Sequence, residues 1–480
     1  MTYIAAFDAG TTAVKGTLVN EVGEAVLSRS VEISTICRDG FQEQAPQDWW
    51  AAFCTISRQF TEAVPAGDIQ GIIMSGQMQD LIPLDGDLNP VCPAILYSDG
   101  RAGDQAAALE QAVGENYFLH TTGNRCDGSL PLPKLMWLRE NRPELYARTA
   151  HILISSKDYL IVQLTGVCAG DVTACATAGA MDIRRKRWDK TLLDAAGVNA
   201  EFFPALYYPH QQVGTILPEI EAVCGYRAGT AVFAGIGDAG ATTLASGIRE
   251  PGQYNINLGT SGWVAAVSDD ILLTEAGVFN LAAAAEGCYI NVVPVLNAGN
   301  VHKWISGVLG RSSGTADYET VSALLKNSAP GSHGVLFLPY LVGERFPVLD
   351  PNARGCFFGM TAETTAADLA RACLEGVAYS LRQGLEQLPV PPASISLIGG
   401  GGRETVWCQI LADVLGHGIT ALGDTEFRAA QALAALARQD TDSSALAEDG
   451  AAYRPRGQYR ALYDVQYARY QKLYPTLREL

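Results

Sequence analysis

The sequence predicts an α/β protein with two related domains that face each other across a cleft. Residues 4–19 form two apolar runs joined by a turn of small residues, and residues 254–267 repeat this strand–turn–strand pattern in altered form. The chain has 480 residues, more than one hydrophobic core normally supports. These observations predict one domain over residues 1–247 and a second over residues 248–480.

The turns of the two hairpins, residues 10–12 (Gly-Thr-Thr) and 259–261 (Gly-Thr-Ser), are too small to serve packing. Glycine and threonine allow successive backbone N–H groups to point into one concavity, which can bind an anion. One such hairpin alone is usually only a turn, but its repetition predicts two loops that hold a single polyphosphate. Asp8 strengthens this interpretation, because a carboxylate beside phosphate is repulsive unless a divalent cation lies between them.

The composition argues against several classes of partner. The formal charge is −17, from 34 basic and 51 acidic residues, which disfavours a nucleic-acid or anionic-membrane surface. Eleven scattered cysteines without a C-x-x-C pair indicate reduced thiols in a cytoplasmic protein. The first strand begins at once, so no signal peptide is expected, and no apolar run reaches the ~18 residues of a membrane span. The six histidines lie far apart, so no zinc site is expected.

Apolar periodicity predicts the elements of the first half. After the hairpin we expect a strand over 24–33, a helix over 46–64, a buried strand over 69–74, a hairpin over 81–84 and 91–96, helices over 131–141 and 155–164, and a strand over 230–234. Polar residues 75–80 follow the buried strand, at the strand end where open α/β sheets bind ligands. Asp99 and Arg101 fit either a ligand contact or an internal ion pair.

The loop at 235–240 has the Gly-x-Gly-x-x-Gly spacing of a dinucleotide-binding loop, but the match is weak. The acid expected about 20 residues later falls inside the second hairpin. Asp238 within the loop would also repel a pyrophosphate. A carboxylate at a helix N-terminus is held ionised by the helix dipole and can accept a proton from a hydroxyl. Asp238 is therefore a candidate general base, and a simple N-cap is the alternative.

The second half continues with the same alternation of elements. After its hairpin we expect a strand over 289–293, a turn over 297–300 followed by a helix, a long helix over 369–388, a strand over 395–398 followed by a helix, and a helical, aromatic C-terminal region of about 30 residues. Four glycines at 399–402 join the last strand to its helix. They allow the close backbone approach that a base or ribose needs, or they form a flexible turn.

Two motifs resemble those of a known family. Residues 129–141 (Ser-Leu-Pro-Leu-Pro-Lys-Leu-Met-Trp-Leu-Arg-Glu-Asn) fit one signature of the FGGY carbohydrate kinases, and residues 355–360 with 368–375 fit the other except at Cys373. Nearly the whole chain resembles this branch of the sugar kinase, heat-shock protein and actin superfamily. The resemblance implies two actin-like (ribonuclease H-like) domains with mixed sheets flanked by helices, with ATP and sugar in the interdomain cleft.

The resemblance also implies site residues. It places a magnesium ion near Asp8 and the catalytic base at Asp238. The residues expected to contact ATP are Thr11, Thr12, Lys15, Gly259, Thr260, Ser261, Gly299, Lys303, Gly400, Gly401 and Glu404. The residues expected to contact the sugar are Gln77, Met78, Gln79, Asp238 and Ala239.

Within the family the chain is most similar to the xylulokinases, through motifs at 43–50, 75–78, 93–101 and 398–401. It departs from them where Met78-Gln79-Asp80 replaces their usual Met-His-Gly and where Ala239 replaces a polar residue. Gln79 can still donate to and accept from sugar hydroxyls. Asp80 would repel an anionic substrate such as gluconate if it faced the pocket.

The resemblance implies transfer of the γ-phosphoryl group of MgATP to a small neutral ketose, with D-xylulose giving D-xylulose 5-phosphate. The expected partners are a sugar and MgATP, without nucleic acid or membrane, and a homodimer is a candidate assembly. Three alternatives stay open. The substrate could be another ketose, a polyol or a sugar acid, the chain could be an actin- or heat-shock-like ATPase acting as an interaction protein, or it could be a dehydrogenase.

Overall fold

A computed structural model describes residues 1–38, 40–274, 277–311, 316–388, 390–423, 427–440 and 450–478. Within these ranges, none of the helices combines the length and the hydrophobicity needed to cross a lipid bilayer. All eleven cysteines are free thiols.

The first half of the chain alternates short strands and helices. Its strands are β1 (Tyr3–Ala9), β2 (Ala13–Asn20), β3 (Ala25–Glu32), β4 (Ile36–Arg38), β5 (Phe41–Gln44), β6 (Ile69–Gly76), β7 (Ile82–Leu84), β8 (Ala94–Ile95), β9 (His151–Leu153), β10 (Ala169–Asp171), β11 (Met181–Asp182), β12 (Arg187–Trp188), β13 (Ala205–Tyr207), β14 (Gln212–Thr215), β15 (Ala231–Phe233) and β16 (Ile236–Gly237). Its helices are α1 (Pro46–Ala63), α2 (Gly103–Val113), α3 (Glu115–Thr122), α4 (Pro131–Asn141), α5 (Pro143–Tyr146), α6 (Ser156–Thr165), α7 (Val172–Cys175), α8 (Lys190–Ala196), α9 (Pro218–Cys224) and α10 (Asp238–Ala245).

The second half has longer strands and one long central helix. Its strands are β17 (Gln253–Leu258), β18 (Gly262–Ser268), β19 (Phe279–Ala282), β20 (Tyr289–Val295), β21 (Leu336–Leu338), β22 (Cys356–Phe358), β23 (Ser394–Ile398), β24 (Ile419–Leu422) and β25 (Gly450–Tyr453). Its helices are α11 (Gly299–Leu309), α12 (Tyr318–Lys326), α13 (Ala366–Gln387), α14 (Thr405–Leu415), α15 (Arg428–Ala437), α16 (Arg460–Tyr470) and α17 (Leu473–Leu477). Short 3₁₀ turns lie at Ala66–Asp68, Ala200–Phe202, Ser332–Gly334, Gly400–Arg403 and Gly457–Tyr459.

Each half contains a mixed seven-stranded sheet, and the two sheets have the same inner order. The first runs β14-β15-β6-β1-β2-β3, with β16 also paired to β6, and the second runs β19-β20-β18-β17-β23-β24-β25. In both, an antiparallel hairpin is extended by an antiparallel strand on one side and by two parallel strands on the other. The repetition predicted from the two hairpins is therefore a repetition of the whole sheet, as expected for two related domains.

Apolar side chains that alternate along the strands fill a core beside each sheet. In the first half, Trp49 and Phe53 of α1 are fully buried against Phe7 of β1. In the second half, Leu374 and Leu381 of α13 are fully buried against the strands of the second sheet. The packing of α1 and α13 thus holds the strands of each sheet, and with them the strand ends that form the site, in fixed positions.

A third apolar core joins the two halves, and hydrogen bonds between asparagines reinforce it. Its members come from α3, α4 and α8 of the first half and from β19 and β20 of the second. Asn124 Nδ2 donates to the Asn280 carbonyl at 2.9 Å, and the Asn280 backbone N–H donates to Asn124 Oδ1 at 2.8 Å. Asn280 Nδ2 also donates to the Gly123 carbonyl at 2.6 Å, so three hydrogen bonds of these two asparagines cross the boundary.

Helix α15 crosses between the halves in the opposite direction. Although it belongs to the second half of the sequence, Leu433 and Ala434 are buried against Ile4 of β1 and Ile73 of β6. Arg438 Nη2, just beyond the helix, donates to the Val19 carbonyl at 3.0 Å. The division at residues 247 and 248 stays a prediction about the sequence, and the packing of α15 links the C-terminal part of the chain to the first sheet.

The hairpin predicted over 81–84 and 91–96 is present as an irregular antiparallel pair, in which Leu81 and Ile95 exchange two backbone hydrogen bonds, at 2.9 and 3.0 Å, and the Val91 N–H donates to the Pro83 carbonyl at 3.0 Å. Each arm also pairs with a strand elsewhere in the sequence, β7 with β9 and β8 with β5. Strands β7 and β8 are short, and the strands β9 and β5 with which they pair lie far away in the sequence. An apolar pattern cannot show such long-range pairing. The other helices and strands predicted above are present within the described residues, with ends shifted by a few residues.

Arg101 forms an internal ion-pair corner rather than a ligand contact. Its Nη2 lies 2.6 Å from Asp99 Oδ2 and 2.8 Å from Glu43 Oε1. The guanidinium carbon also lies 3.8 Å from the centre of the Phe41 ring. Of the two alternatives left open by the sequence, the structure shows the ion pair.

Candidate active site

The first small-residue loop is held from beneath by a network of buried amides. Thr11 Oγ1 donates to Gln77 Oε1 at 2.7 Å, and Gln77 Nε2 donates to Gln44 Oε1 at 2.9 Å. Gln44 Nε2 in turn donates to the Thr11 carbonyl at 2.7 Å, and Trp49 Nε1 donates to Gln44 Oε1 at 3.0 Å. Gln77 is only 1% exposed. Its predicted sugar contact is therefore corrected, because both ends of its side-chain amide support the loop and do not face the cleft.

Asp8 lies at the end of β1, directly opposite Ser75 of the parallel strand β6. Ser75 Oγ donates to Asp8 Oδ1 at 2.8 Å. Burial raises the pKa of Asp8 above its usual value, and the Ser75 hydrogen bond and the charge of Lys15 only partly offset this. Lys15 pairs with Asp8 across the β1–β2 hairpin. Burial disfavours the ionised form of Asp8, and a nearby cation would stabilise that ionised form.

The second small-residue loop is built by close contact with the start of α11. The Gly299 N–H donates to the Gly259 carbonyl at 2.8 Å, and the Asn300 N–H donates to the Thr260 carbonyl at 3.0 Å. A Cβ atom at Gly299 would lie 2.4 Å from the Gly259 oxygen, closer than any real contact. Glycine at 299 is thus required for α11 to approach the loop, and residues 259–261 are held in place by the helix.

A cavity of about 650 Å³ lies against this second loop. It is lined by Leu258, Gly259, Thr260, Gly299, Asn300, His302, Lys303, Tyr318, Ser322, Gly400, Gly401, Arg403, Glu404 and Trp407. Every residue of the second half that was predicted to contact ATP, except Ser261, therefore lies around one space. A volume of this size is in the range of small-molecule sites.

The glycines and the carboxylate at the cavity wall have distinct places. Gly401 packs against Leu258 and Trp407, whereas a Cβ at Gly400 would meet no atom within 4 Å. Glu404 is mostly buried, accepts a hydrogen bond from the Val406 N–H at 3.0 Å as the N-cap of α14, and also accepts one from the Ser322 hydroxyl. Its carboxylate therefore orders the wall of the cavity.

Sequence reasoning missed His302. Its ring is buried between Tyr318 and Trp407, with ring centres 5.0 and 5.5 Å away in edge-to-face geometry. Burial lowers the pKa of His302 below its usual value, which favours the neutral imidazole at the cavity wall. Helical spacing placed this residue on α11, but only the tertiary packing reveals its aromatic neighbours.

Asp238 begins α10 at the end of β16, which is parallel to β6. The residue is exposed to solvent, although many protein atoms surround its carboxyl group. Oδ1 accepts a hydrogen bond from the Ala239 N–H at 2.7 Å. Burial, followed by repulsion from Asp8, raises the pKa of Asp238 to about 7. Because Asp238 is exposed, a ligand can reach its carboxylate. Because its pKa lies near 7, the carboxylate can accept a proton near neutral pH.

Met78 packs against Gly237, the residue before Asp238, and Gln79 follows Met78 in the chain. Met78 and Gln79 are half-buried, unlike their neighbours Gln77 and Asp80. Met78 reaches the strand just before the base, because a Cβ at Gly237 would lie only 2.0 Å from the Met78 sulfur. The Gln79 backbone is left-handed, with φ of 66°, and its Nε2 donates to Ser129 Oγ at 2.6 Å.

Asp80 does not face the pocket, so its predicted repulsion of an anionic substrate does not apply. It is fully buried, and Oδ1 accepts a hydrogen bond from the Tyr97 N–H at 3.1 Å. Burial raises the pKa of Asp80 and lowers that of Lys134 to about 8, while the two charges attract each other. Lys134 Nζ donates to the Gln79 carbonyl at 3.0 Å and to the Leu96 carbonyl at 2.7 Å. These buried groups form the floor beneath Gln79.

A buried ion cluster beneath the strand ends was also missed. Lys157 Nζ lies 2.8 Å from Asp171 Oδ2 and also pairs with Asp158, and all three side chains are fully buried. The backbone of Gly76 lies against Ser156 and Lys157, where a Cβ would not fit. The predicted helix over 155–164 contains two of these residues, but nothing local in the sequence shows that Asp171 joins them.

The comparisons with known proteins agree with this geometry. Residues 3–245 match the family model "FGGY family of carbohydrate kinases, N-terminal domain", and residues 254–437 match its C-terminal counterpart. The chain is 33% identical over 416 residues to the xylulose kinase of Escherichia coli strain K12, covering 85% of this chain and 84% of that protein. It is 28% identical to the gluconokinase of Bacillus subtilis strain 168, covering 86% of this chain and 82% of that protein.

A solved structure shows the same architecture. The ligand-bound xylulose kinase from Lactobacillus acidophilus superposes with a TM-score of 0.91 at 27% identity, covering 100% of this chain and 99% of that one. This agreement confirms the predicted two-domain, actin-like fold, and the family models define a carbohydrate kinase, which is an ATP-dependent phosphotransferase. The chain belongs to the FGGY family of carbohydrate kinases. Of the classes left open by the sequence, family membership therefore supports a sugar kinase and not an ATPase that acts as an interaction protein or a dehydrogenase.

Two glycines of α11 provide a matched test of the second loop. Gly299→Ala would force Gly259 away from its position, and we expect the affinity for ADP to fall at least about tenfold, the equivalent of ~1.4 kcal/mol. Gly307→Ala is the control, because its Cβ would meet no atom within 4 Å. Alanine is also the better helix former by about 1 kcal/mol, so the control should unfold at the same or a higher temperature. Calorimetric titration with ADP checks both, and equal affinities would contradict the role of Gly299.

The raised pKa of Asp238 predicts a pH dependence. A general base works only when it is ionised, so activity should be lost as pH falls through the pKa. We expect kcat/KM for the sugar, measured at ATP well below its KM so that the nucleotide-free protein titrates, to have an acidic limb with a midpoint near pH 7, and not near the usual 3.8 of an aspartate. Initial rates between pH 5 and 9 measure the limb. A rate that stays flat down to pH 5 would contradict the assignment.

Proposed function

We propose that this sugar kinase transfers the γ-phosphoryl group of ATP to the terminal hydroxyl of D-xylulose, giving D-xylulose 5-phosphate and ADP. The observation that carries the proposal is the position of Asp238, an exposed residue with a pKa near 7 that follows Gly237, against which Met78 packs. The similarity to xylulose kinases supports the choice of ketose. The gluconokinase among the relatives makes a sugar acid the second candidate.

Asp238 is the proton acceptor in the proposed mechanism. Its carboxylate takes the proton of the sugar hydroxyl as the hydroxyl oxygen bonds to the γ-phosphorus and the bond to the ADP oxygen breaks. Backbone N–H groups of residues 11–12 and 259–261 bind phosphate oxygens, while the Gly10 N–H closes the first turn by donating to the Ala13 carbonyl at 3.1 Å, and Lys15 assists from the first hairpin. The cavity beside Gly400 and Gly401 receives the adenosine. Thr11 and Thr12 orient the phosphates, and Lys303 lies at the mouth of the nucleotide cavity.

The residues at the strand ends fit a magnesium ion that arrives with the nucleotide. Among the described residues there is no group of three or more His, Cys, Asp or Glu side chains that could hold a metal. Mg²⁺ commonly binds through one or two carboxylates plus substrate phosphates, and Asp8, buried with a raised pKa, offers one such carboxylate. When bound, the ion would neutralise charge on the phosphoryl group. The homodimer and the cytoplasmic location inferred from the sequence remain predictions.

A panel of sugars tests the substrate. Ketopentoses, polyols and aldonates are each supplied with MgATP, and ADP release is followed in a coupled assay. We expect the highest kcat/KM with D-xylulose, because the proposed sugar contacts Met78 and Gln79 carry no positive charge. A higher kcat/KM with gluconate would replace the ketose by a sugar acid.

Asp238→Ala and Asp238→Asn test the base. Both should keep ADP affinity, because the nucleotide cavity is built by other residues, and both should lower kcat by about 10²- to 10⁴-fold. Asp87→Asn serves as the control, since Asp87 is an exposed turn residue outside the cleft. Stopped assays with calorimetric ADP titration separate the two effects. Near-normal turnover in the Asp238 variants would reject the assignment.

A further inference from the structure

Hydrogen bonds between Asp127 and Ser129 and between Ser129 and Gln79 hold the Gln79 side chain in place at the proposed sugar site. Asp127 Oδ1 accepts hydrogen bonds from the Ser129 N–H, at 2.7 Å, and from the Ser129 hydroxyl. Ser129 Oγ in turn accepts a hydrogen bond from Gln79 Nε2 at 2.6 Å. Asp127 and Ser129 lie in the loop before α4, far from Gln79 in sequence, so these hydrogen bonds join two segments that are distant in the sequence.

The donor and acceptor roles in these hydrogen bonds determine the orientation of the Gln79 amide. An ionised carboxylate only accepts hydrogen bonds, so Ser129 has to donate its single proton to Asp127. Ser129 Oγ can then only accept, and it must receive an N–H of Gln79. The NH₂ group of Gln79 therefore points to Ser129, and its Oε1 points away. Among the described residues, no side chain or backbone group donates to Oε1.

The backbone of Gln79 is fixed as firmly as its side chain. Its left-handed φ of 66° is unusual for a residue with a side chain. The buried Lys134 ammonium holds the Gln79 carbonyl at 3.0 Å and the Leu96 carbonyl at 2.7 Å. Neither a rotation of the backbone nor a flip of the amide is available without breaking these hydrogen bonds.

We infer that Asp127 and Ser129 are specificity-determining residues that present Gln79 Oε1 to the substrate as a hydrogen-bond acceptor. The inference rests on the proposed function and narrows its substrate class. An acceptor at the proposed sugar site selects a substrate that offers a hydroxyl proton there, as a ketose or polyol does. An aldonate would place its carboxylate against Oε1 and near the Asp127 carboxylate, with no proton to share. Arg125 in the same loop is already engaged in an interaction of its own.

Two substitutions change these hydrogen bonds in different ways. Asp127→Asn supplies an N–H to Ser129, so the Ser129 proton is released to Gln79 Oε1 and the amide can flip to present its NH₂ group. Ser129→Ala removes the anchor and leaves the amide free to rotate. Ser129→Thr keeps the hydroxyl and should retain the wild-type behaviour. Ser30→Ala, an exposed serine on the outer strand β3, is the control truncation.

The measured quantity is the ratio of kcat/KM for D-xylulose to kcat/KM for gluconate in the full-length protein. We expect Ser129→Ala to lower the ratio about tenfold, mainly through a higher KM for the ketose, which is the size of one lost hydrogen bond. Asp127→Asn should lower the ratio further, because donors would then face the substrate. Ser129→Thr and Ser30→Ala should leave it unchanged. Unchanged melting temperatures establish that the variants are folded.

The outcomes separate this inference from the proposed function. If the wild-type protein prefers another neutral sugar, the choice of D-xylulose fails, and the ratio for that sugar tests the acceptor role instead. If folded Asp127→Asn and Ser129→Ala proteins keep the wild-type ratio, the inference is overturned while the kinase assignment stands. A wild-type protein that phosphorylates only aldonates would overturn both.

Discussion

The site depends on placing two carboxylates, Asp8 and Asp238, at the ends of the two strands that flank β6. Asp8 ends β1 and Asp238 follows β16, and both strands are parallel to β6. Repulsion from Asp8 adds to burial in raising the pKa of Asp238. The repulsion disfavours ionisation of both carboxyl groups, and it leaves Asp238 with a pKa near neutral pH. The same negative charge favours a cation beside Asp8, which is what a bound nucleotide brings.

The remainder of the site keeps this arrangement rigid through contacts that only small residues permit. Gly299 allows α11 to reach the second loop, and Gly237 makes room for Met78 beside the base. Gln77 ties the first loop to the helix α1 region through Gln44. Because these contacts involve backbone or fully buried groups, small shifts at the site would disturb the sheets themselves.

Local patterns predicted much of this structure, and long-range pairing limited the rest. The two hairpins and Asp238 were recognisable because their chemistry lies in a few consecutive residues. The destination of β7 and the burial of Gln77 and Asp80 were not predictable, since each depends on partners far away in the chain. Asp80 illustrates the limit, because a carboxylate after a strand end reads as a ligand contact until Lys134 is found beneath it.

The shared core between the halves restricts how the cleft can close over its substrates. Closure is expected of a kinase, because water in the site would otherwise receive the phosphoryl group. Apolar side chains of both halves pack together in this core, and exposing them would cost about 25 cal/mol for each Å². The buried hydrogen bonds between Asn124 and Asn280 add to that cost. Any closing motion therefore has to pivot about this contact and keep it buried, so that the two phosphate loops approach while Met78 stays packed against Gly237, next to Asp238.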